Sequence, residues 1–411
     1  MTGYLSLLTV FLSSVLLSFS WAQDSIVVGV SEPLTGALAG AGEEHQRGFI
    51  LAEELINKSG GILGKKLKVI YEDDRGDPSV GVAAVEKLIL KDKATYILGG
   101  YGSTTIYAAL GVMRKYNIGK PKIISISVGG SSPLLEKDFG MEKWFFNTHP
   151  WSYYYMETVR DFYKDIKPNP QSVFIGYSDE LYGKSLAEPG KEYLEKAGFN
   201  VVGYEPYNEK AVDFTALLTK AKSANPDVFL YLGHVGSSII ITKQSKELGF
   251  TPKLSMDSFG VGLKDYISAL GSDANSQCGM EFWVPGIEYP ASTQYPKLLV
   301  SSKDYVAMYQ KKYPGRDPTM SPEDYIALII LKIAIEQAKS TDPEKVISAL
   351  EKIDTMTPWG PFKFSQGRMG GIHSGPTNIL IFQIQDGKRG IVWPTRWATS
   401  KFVYPKPPWQ K

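Results

Sequence analysis

Cysteine is almost missing: Cys278 is the single one in 411 residues. No disulfide can form within the chain, so its stability must come from a packed core, which this length can supply. Cys278 stands at the entrance of a strand-like run, Gln277-Cys278-Gly279-Met280-Glu281-Phe282, and reads as a buried structural thiol rather than a nucleophile. An excess of one charge is missing too. The formal net charge is +2, with Lys and Arg spread evenly along the chain. That removes the electrostatic footprint of a nucleic-acid or anionic-lipid binder. Histidine is scarce: His45, His149, His234 and His373 are the four, and they lie far apart. They show no ligand spacing, so neither a metal nor a cofactor is expected. No Gly-x-Ser-x-Gly elbow occurs, and no nucleophile, base or metal constellation can be assembled. An enzyme is therefore not the expectation.

Long apolar runs are confined to the start of the chain. Leu5–Phe19 is apolar and Ser-rich, and Ser20-Trp21-Ala22 supplies a small-x-small site before Gln23-Asp24. This predicts a secretory signal over 1–22, cleaved after Ala22, and a periplasmic protein. The n-region Met1-Thr2-Gly3-Tyr4 lacks Lys and Arg, which leaves an uncleaved anchor as the alternative.

What is present is ordinary globular composition, 43% hydrophobic and 21% charged. Short β-rich runs alternate with helical patterns. Strands are expected at Ile26–Val30, Leu67–Tyr71, Tyr96–Leu98, Ile123–Ile126, Val173–Tyr177, Val201–Gly203, Val228–Leu232 and Lys253–Met256. Helices are expected at Glu43–Lys58, Pro78–Asp92, Thr105–Tyr116, Ser185–Ala197, Phe214–Ser223 and Ser237–Leu248. Such alternation means βαβ units and parallel sheets. It happens twice, on either side of Thr148-His149-Pro150-Trp151 and the patch Tyr153-Tyr154-Tyr155, so two sheets are expected. A further strand (Gly279–Pro285), three helices (Lys303–Tyr313, Pro322–Lys339, Pro343–Lys352) and strand-like Asn378–Gln385 and Ile391–Trp393 imply that the chain crosses between lobes several times.

Two loops stand out chemically. Gly99-Gly100-Tyr101-Gly102-Ser103-Thr104-Thr105 leaves the third strand, and Ser125-Ile126-Ser127-Val128-Gly129-Gly130-Ser131-Ser132-Pro133 leaves the fourth. Both offer hydroxyls and free N–H groups at the carboxyl ends of parallel strands, where open α/β sheets bind ligands and helix N-termini favour anions. Helix capping by the same Ser and Thr residues is the competing account. Gly36-Ala-Leu-Ala-Gly40-Ala-Gly42 lacks the dinucleotide spacing and reads as a flexible, ligand-facing loop. Tyr182-Gly183-Lys184-Ser185 imitates a phosphate loop but has Ser178 where the first glycine is needed.

The pattern Gly48-x-x-Leu51-Ala52-x-x-x-Ile56-Asn57-x-x-Gly60-Gly61-Ile62-x-Gly64-x-x-Leu67, continuing to Asp73-Asp74-x-x-Asp77-Pro78 and Leu88-Ile89, closely resembles the branched-chain amino acid ABC transporter solute-binding proteins, the leucine/isoleucine/valine-binding type. Weaker similarity at Tyr182-Gly183, Asp213-Phe214, Gly260-Val261-Gly262 and Trp359-Gly360-Pro361-Phe362 extends it along nearly the whole chain. The resemblance implies a type I periplasmic-binding fold: α/β, with two Rossmann-like lobes joined by three crossovers that close on a ligand like a hinged trap. Lobe I is expected over 23–148 plus 284–362, and lobe II over 149–283 plus 363–411.

It further implies a non-catalytic solute carrier that hands an amino acid or similar small carboxylate to a membrane permease. Ser103 and Ser131 match the donors to the ligand carboxylate, and Tyr182 matches a tyrosine reaching in from the second lobe. Asp257, with Ser258 as the alternative one residue along, matches an acid that pairs with the α-amino group. A carbonyl of Gly129 or Gly130 would complete that ammonium's shell. The chain departs from the pattern at Ala41 or Gly42, where relatives place a tyrosine, at Tyr101, which replaces a smaller aliphatic, and at His234, where an aromatic is usual. These departures leave an aromatic acid, another carboxylate or an amide as plausible ligands. A sensing module for a membrane receptor is the other reading.

Overall fold

A computed structural model describes residues 25–409. The expected signal segment and its cleavage site lie outside them. The first part of the chain runs β1 (Ile26–Glu32), α1 (Ala39–Lys58), β2 (Leu67–Asp73), α2 (Pro78–Leu90), β3 (Tyr96–Tyr101), α3 (Ser103–Tyr116), β4 (Ile124–Gly129), α4 (Pro133–Phe139) and β5 (Phe145–Asn147). It then continues through α5 (Ser152–Asp165), β6 (Ser172–Ser178), α6 (Leu181–Lys196), β7 (Asn200–Tyr207), α7 (Thr215–Ala224), β8 (Val228–Leu232), α8 (Val235–Glu247), β9 (Leu254–Asp257), α9 (Lys264–Leu270) and β10 (Cys278–Glu281). Three helices follow, α10 (Ser302–Lys312), α11 (Ser321–Ala338) and α12 (Pro343–Leu350), then β11 (Asp354–Thr357), β12 (Gly360–Lys363), β13 (Leu380–Gln385) and β14 (Lys388–Trp393).

Two large sheets result. One is five-stranded and parallel, in the order β2-β1-β3-β4-β5. The other is seven-stranded, β14-β13-β10-β9-β8-β6-β7, parallel from β7 to β10 and closed by the antiparallel pair β13 and β14. Helices cover both, so their strands read as near-continuous apolar runs rather than alternating ones. We call the body on the first sheet, with α1–α4 and α10–α12, lobe I, and the body on the second, with α5–α9, lobe II. The chain crosses between them after β5, after β10 and before β13. Before the last crossing, the end of β5 exchanges backbone bonds with the segment 373–375: Asn147 N–H donates to His373 O, and Gly375 N–H to Asn147 O.

Local sequence explains where helices begin. Asp77-Pro78, Ser132-Pro133 and Asp342-Pro343 each join a capping side chain to a proline in the first turn, and each cap accepts a backbone N–H of α2, α4 or α12. Three expectations need correction. Gly40 and Gly42 belong to α1 and not to a flexible loop, since that helix starts at Ala39. They are glycine because a Cβ would strike Asp265 of lobe II or the Pro33 carbonyl. Tyr153-Tyr154-Tyr155 is no separator but the first turn of α5. Tyr182-Gly183-Lys184-Ser185 lies inside α6 rather than before it.

The most buried helix is α11, whose residues Ser321–Ile335 are all buried. It packs on α1 at Gly48, where a Cβ would meet Ser321 O and, at 2.8 Å, Asp324 Cβ. Gly48→Ala is expected to lower the unfolding free energy by about 1–3 kcal/mol through overpacking. Gly111→Ala, in α3 with nothing within 4 Å of its Cβ position, should raise it by roughly 0.5–1 kcal/mol. Urea denaturation of the two variants reads both signs, and equal effects would refute the packing argument.

Candidate functional site

The carboxyl ends of β1, β3 and β4 carry Glu32, Tyr101 and Gly129, and those of β6, β8 and β9 carry Ser178, Leu232 and Asp257. The two sets face each other across the lobes. Tyr101, from lobe I, brings its hydroxyl to 3.4 Å from His234 Nδ1 of lobe II. Ser152 N–H, in the first turn of α5, donates to Ser131 O at 2.8 Å. Farther out, Lys264 Nζ donates to Gly315 O at 3.1 Å, and Arg389 donates to Pro318 O at 3.1 Å. Water-sized space persists at the rim, as a cavity of about 340 Å³ lined by Glu43, Arg47, Lys264, Asp265 and Arg316 among others.

Four rings run across the interface. His45 and Tyr101 have centroids 5.5 Å apart, as do Tyr101 and His234, and Tyr182 stacks on His234 at 4.9 Å and 24°. Thus Tyr101, Tyr182 and His234 are brought together as side chains. Ser103 and the second loop also meet: Ser103, the first residue of α3, accepts Ser132 N–H at 3.2 Å. Gly102 takes φ +88° with open space where a Cβ would stand, so only glycine fits there without strain. Gly129 closes β4, where a Cβ would strike Gly100 O, and Gly130 O accepts from Asn147 at 3.1 Å.

Several hydroxyls here are buried and have no hydrogen-bond partner: Ser131 Oγ, Tyr155 OH, Tyr182 OH and Thr104 Oγ1. Burial pushes both phenols well up. Tyr182 and Glu323 add to this at Tyr155 while the Ser131 hydroxyl opposes it, and at Tyr182 the opposing hydroxyl is that of Ser258. Ser131 and Tyr155 are therefore neighbours that do not meet hydrogen-bond geometry. The apolar side of this region is Phe259, 5.4 Å from Tyr155 and 4.5 Å from Phe282 between ring centroids, with His149 standing edge-on to Phe282 at 4.5 Å.

Lobe II supplies the charge. His234, at the N-cap of α8, is 3% exposed and bonds Glu180 through Nε2 at 2.7 Å. Burial pulls its imidazole down, but Glu180, with Glu209 and Asp257 behind it, outweighs that and holds the pKa at about 9. Burial resists the charge on Glu180, and His234 overcomes it, so that carboxyl falls below its usual range. Burial lifts Glu209 to about 7. Asp257 is fully buried and faces its own lobe: Ser238 Oγ donates to it at 2.5 Å, Ser258 N–H at 2.6 Å and Ser258 Oγ approaches at 3.2 Å. Burial nevertheless raises it to about 7, against those bonds. Ser258 Oγ also reaches Gly233 O at 3.0 Å.

Sequence reasoning missed Tyr155, Phe259, Glu180 and Glu209. A helical period through Ser152, Tyr155, Met156 and Val159 was the available signal for Tyr155. Nor did the scattered histidines suggest that α1 and α11 would set His45 against Asp324, as they do.

The sequence over residues 25–389 matches the family described as periplasmic binding protein. The Leu/Ile/Val-binding protein homolog 7 of Brucella abortus is 26% identical over 400 residues, covering 94% of this chain and 95% of its own. A branched-chain amino acid transporter substrate-binding protein of Streptococcus pneumoniae, solved with isoleucine, superposes with a TM-score of 0.76 at 19% identity, covering 89% of this chain and 97% of its own. A solute-binding protein of an ABC transporter from R. palustris, solved with benzoate, gives 0.77 at 16% identity, covering 92% and 98%.

The His234–Glu180 pair makes stability pH-dependent. With the imidazole raised from 6.5 to about 9, its contribution is complete below pH 6.5 and lost as the pH climbs through 9. Glu209, raised from 4.5 to about 7, and Asp257, raised from 3.8 to about 7, also make stability fall with rising pH, and overlap that window only at its lower edge. Unfolding free energy is expected to drop by roughly 1–3 kcal/mol between pH 6.5 and 9, and His234→Gln to flatten that interval. A slope unchanged in the variant would exclude the pair as its source.

Proposed function

Since the chain belongs to the periplasmic binding protein family, whose members bind rather than catalyse, we propose that it is the extracytoplasmic solute-binding component of an ABC importer. It takes one small carboxylate-bearing solute, an amino acid or close analogue with a branched-chain or aromatic body, between its two lobes. The observation that carries this reading is the group of buried hydroxyls without partners, Ser131, Tyr155 and Tyr182, gathered where the strand ends of the lobes meet. Desolvated hydroxyls cost stability unless something accepts from them. A carboxylate, which only accepts, matches a set of donors.

The assigned roles follow from position. Ser103 and Ser131, with N–H groups at the start of α3, receive the carboxylate; Tyr182 reaches it from lobe II. Tyr101, Phe259 and Tyr155 enclose the apolar body, with Gly102, Gly129 and Gly130 allowing backbone approach. Isoleucine and benzoate, the solutes of the two superposable proteins, share a carboxylate on an apolar body, which supports this division. Delivery to a permease, export through the N-terminal segment with cleavage after Ala22, and a periplasmic location complete the reading.

Asp257 favours a second version. Its two oxygens already accept from Ser238 and Ser258, so an α-amino group would have to compete with three donors. An aromatic or other acid without that amino group needs no such competition.

Titration calorimetry with leucine, phenylalanine, benzoate and short amides is the test. One of these, or a near relative, is expected to bind at one site, and Ser131→Ala to weaken it about tenfold or more, the worth of a hydrogen bond to a charged group. Asp257→Asn should weaken an amino acid strongly and leave benzoate nearly unaffected. No heat across a broad panel of acids and amino acids would end the proposal.

A further inference from the structure

Lobe I holds a second convergence of buried polar groups, which the cleft residues do not account for. Glu32 ends β1, His45 lies in the second turn of α1 and Asp324 in the first turn of α11. Their exposures are 0%, 1% and 0%. One ligand atom from each lies within 4.8 Å of the other two. His45 Nδ1 is 2.8 and 2.9 Å from the two oxygens of Asp324, and Glu32 Oε1 accepts Gly100 N–H at 2.9 Å. That leaves His45 Nε2 and Glu32 Oε2 buried with no hydrogen-bond partner. Tyr71 OH, on the neighbouring strand β2, is also without one, and lies in the field of Glu32 and Asp324.

A purely structural role explains this cluster poorly. Replacing buried ionisable groups by apolar ones of similar size is often neutral or stabilising. Here three such groups come from three elements, and two of their atoms are unsatisfied. A divalent cation would meet both orphaned atoms at once, because it binds a carboxylate oxygen and the lone pair of a neutral imidazole.

We infer that Glu32 and His45, with Asp324 behind the imidazole, bind one divalent transition-metal ion of the zinc class inside lobe I. Asp324 on Nδ1 fixes the tautomer that leaves the Nε2 lone pair free, as carboxylates ordinarily do for metal-binding histidines. Mixed imidazole and carboxylate donors suit zinc and its neighbours, whereas calcium and magnesium prefer oxygen alone. The cluster sits at the carboxyl end of β1, on the side of the sheet that faces the other lobe, so an ion enters when the lobes part. Tyr101, 5.5 Å from the His45 ring between centroids, separates the ion from His234.

The full chain, prepared without a histidine tag and stripped with a chelator, is titrated with Zn²⁺ and Co²⁺ by calorimetry. Elemental analysis counts the ion, and Co²⁺ absorption reports its ligands. Expected are one ion per chain, a higher thermal midpoint and an imidazole-type Co²⁺ spectrum. Binding should be abolished in His45→Gln and Glu32→Gln, and weakened about 10–100-fold in Asp324→Asn. Should a variant fail to fold by circular dichroism, the wild-type titration decides alone. Less than one ion per chain, displacement by Ca²⁺ or Mg²⁺ at equal concentration, or full retention in a folded His45→Gln overturns the site. Metal occupancy is read directly, so the outcome is independent of what the cleft binds.

Discussion

Burial of polar groups where two parallel sheets present their carboxyl ends to each other is the constraint on which this molecule depends. Helices cover the faces of both sheets, so a small molecule can approach a strand only at its end. Bringing two such ends together strips water from every hydroxyl, amide and charge that lines them. Some are satisfied across the gap: Tyr101 by His234, Ser131 O by Ser152 N–H, and the Gly315 and Pro318 carbonyls by Lys264 and Arg389. Others are satisfied within a lobe, as Asp257 is by Ser238 and Ser258. Among the hydroxyls left without a partner, Ser131, Tyr155 and Tyr182 mark where a guest of accepting character would fit.

The start of α11 links this interface to the body of lobe I. Glu323 accepts from Thr148 at 2.6 Å and pairs with His149 at 3.0 Å, which fastens the first crossover. The next residue, Asp324, holds His45. Two acids in the first turn of a buried helix sit where the helix dipole favours negative charge, and each has an imidazole opposite. The third crossover is fastened in the same lobe by another histidine: His373 stacks on Phe146 at 3.9 Å and bonds Phe145 O and Glu351. Both crossovers are thus anchored on lobe I, and any change of angle between the lobes falls on the short segments beyond those anchors.

Strands and most helices were legible because their signals are local. Val228–Leu232 matches its strand residue for residue, and runs such as Leu67–Tyr71 and Val173–Tyr177 fall inside β2 and β6. Parallel strands buried on both faces leave little ambiguity in an apolar run bounded by turns. The start of α1 was misplaced because Gly40 and Gly42 look like loop residues, whereas they serve close approach by Asp265 and Pro33. The two Gly- and Ser-rich loops were legible as loops at the carboxyl ends of β3 and β4, and Ser132 does cap α4. The cluster in lobe I was not legible. Glu32, His45 and Asp324 are single residues on separate elements, and His45 and Asp324 are 279 positions apart. No spacing rule joins them, and only the packing of α1 on α11 through Gly48 does.

The polarity of the cleft can be argued one step further. An acid in lobe II that is to hold an ammonium must be ionised and turned toward the interface. Asp257 is raised to about 7 and turned toward α8, with Ser238 and Ser258 on its oxygens. The charged group of lobe II within hydrogen-bond reach of Tyr101 is His234, an imidazolium held by Glu180, with Glu209 and Asp257 farther off. A cation in that position repels an ammonium and favours a second accepting group, or the face of an aromatic ring. At the cleft, lobe I therefore offers hydroxyls and N–H groups, and lobe II an imidazolium, a phenol and one oxygen of Glu209 that has no partner. A solute whose acid group meets the hydroxyls of lobe I and the imidazolium of lobe II answers the donors of both.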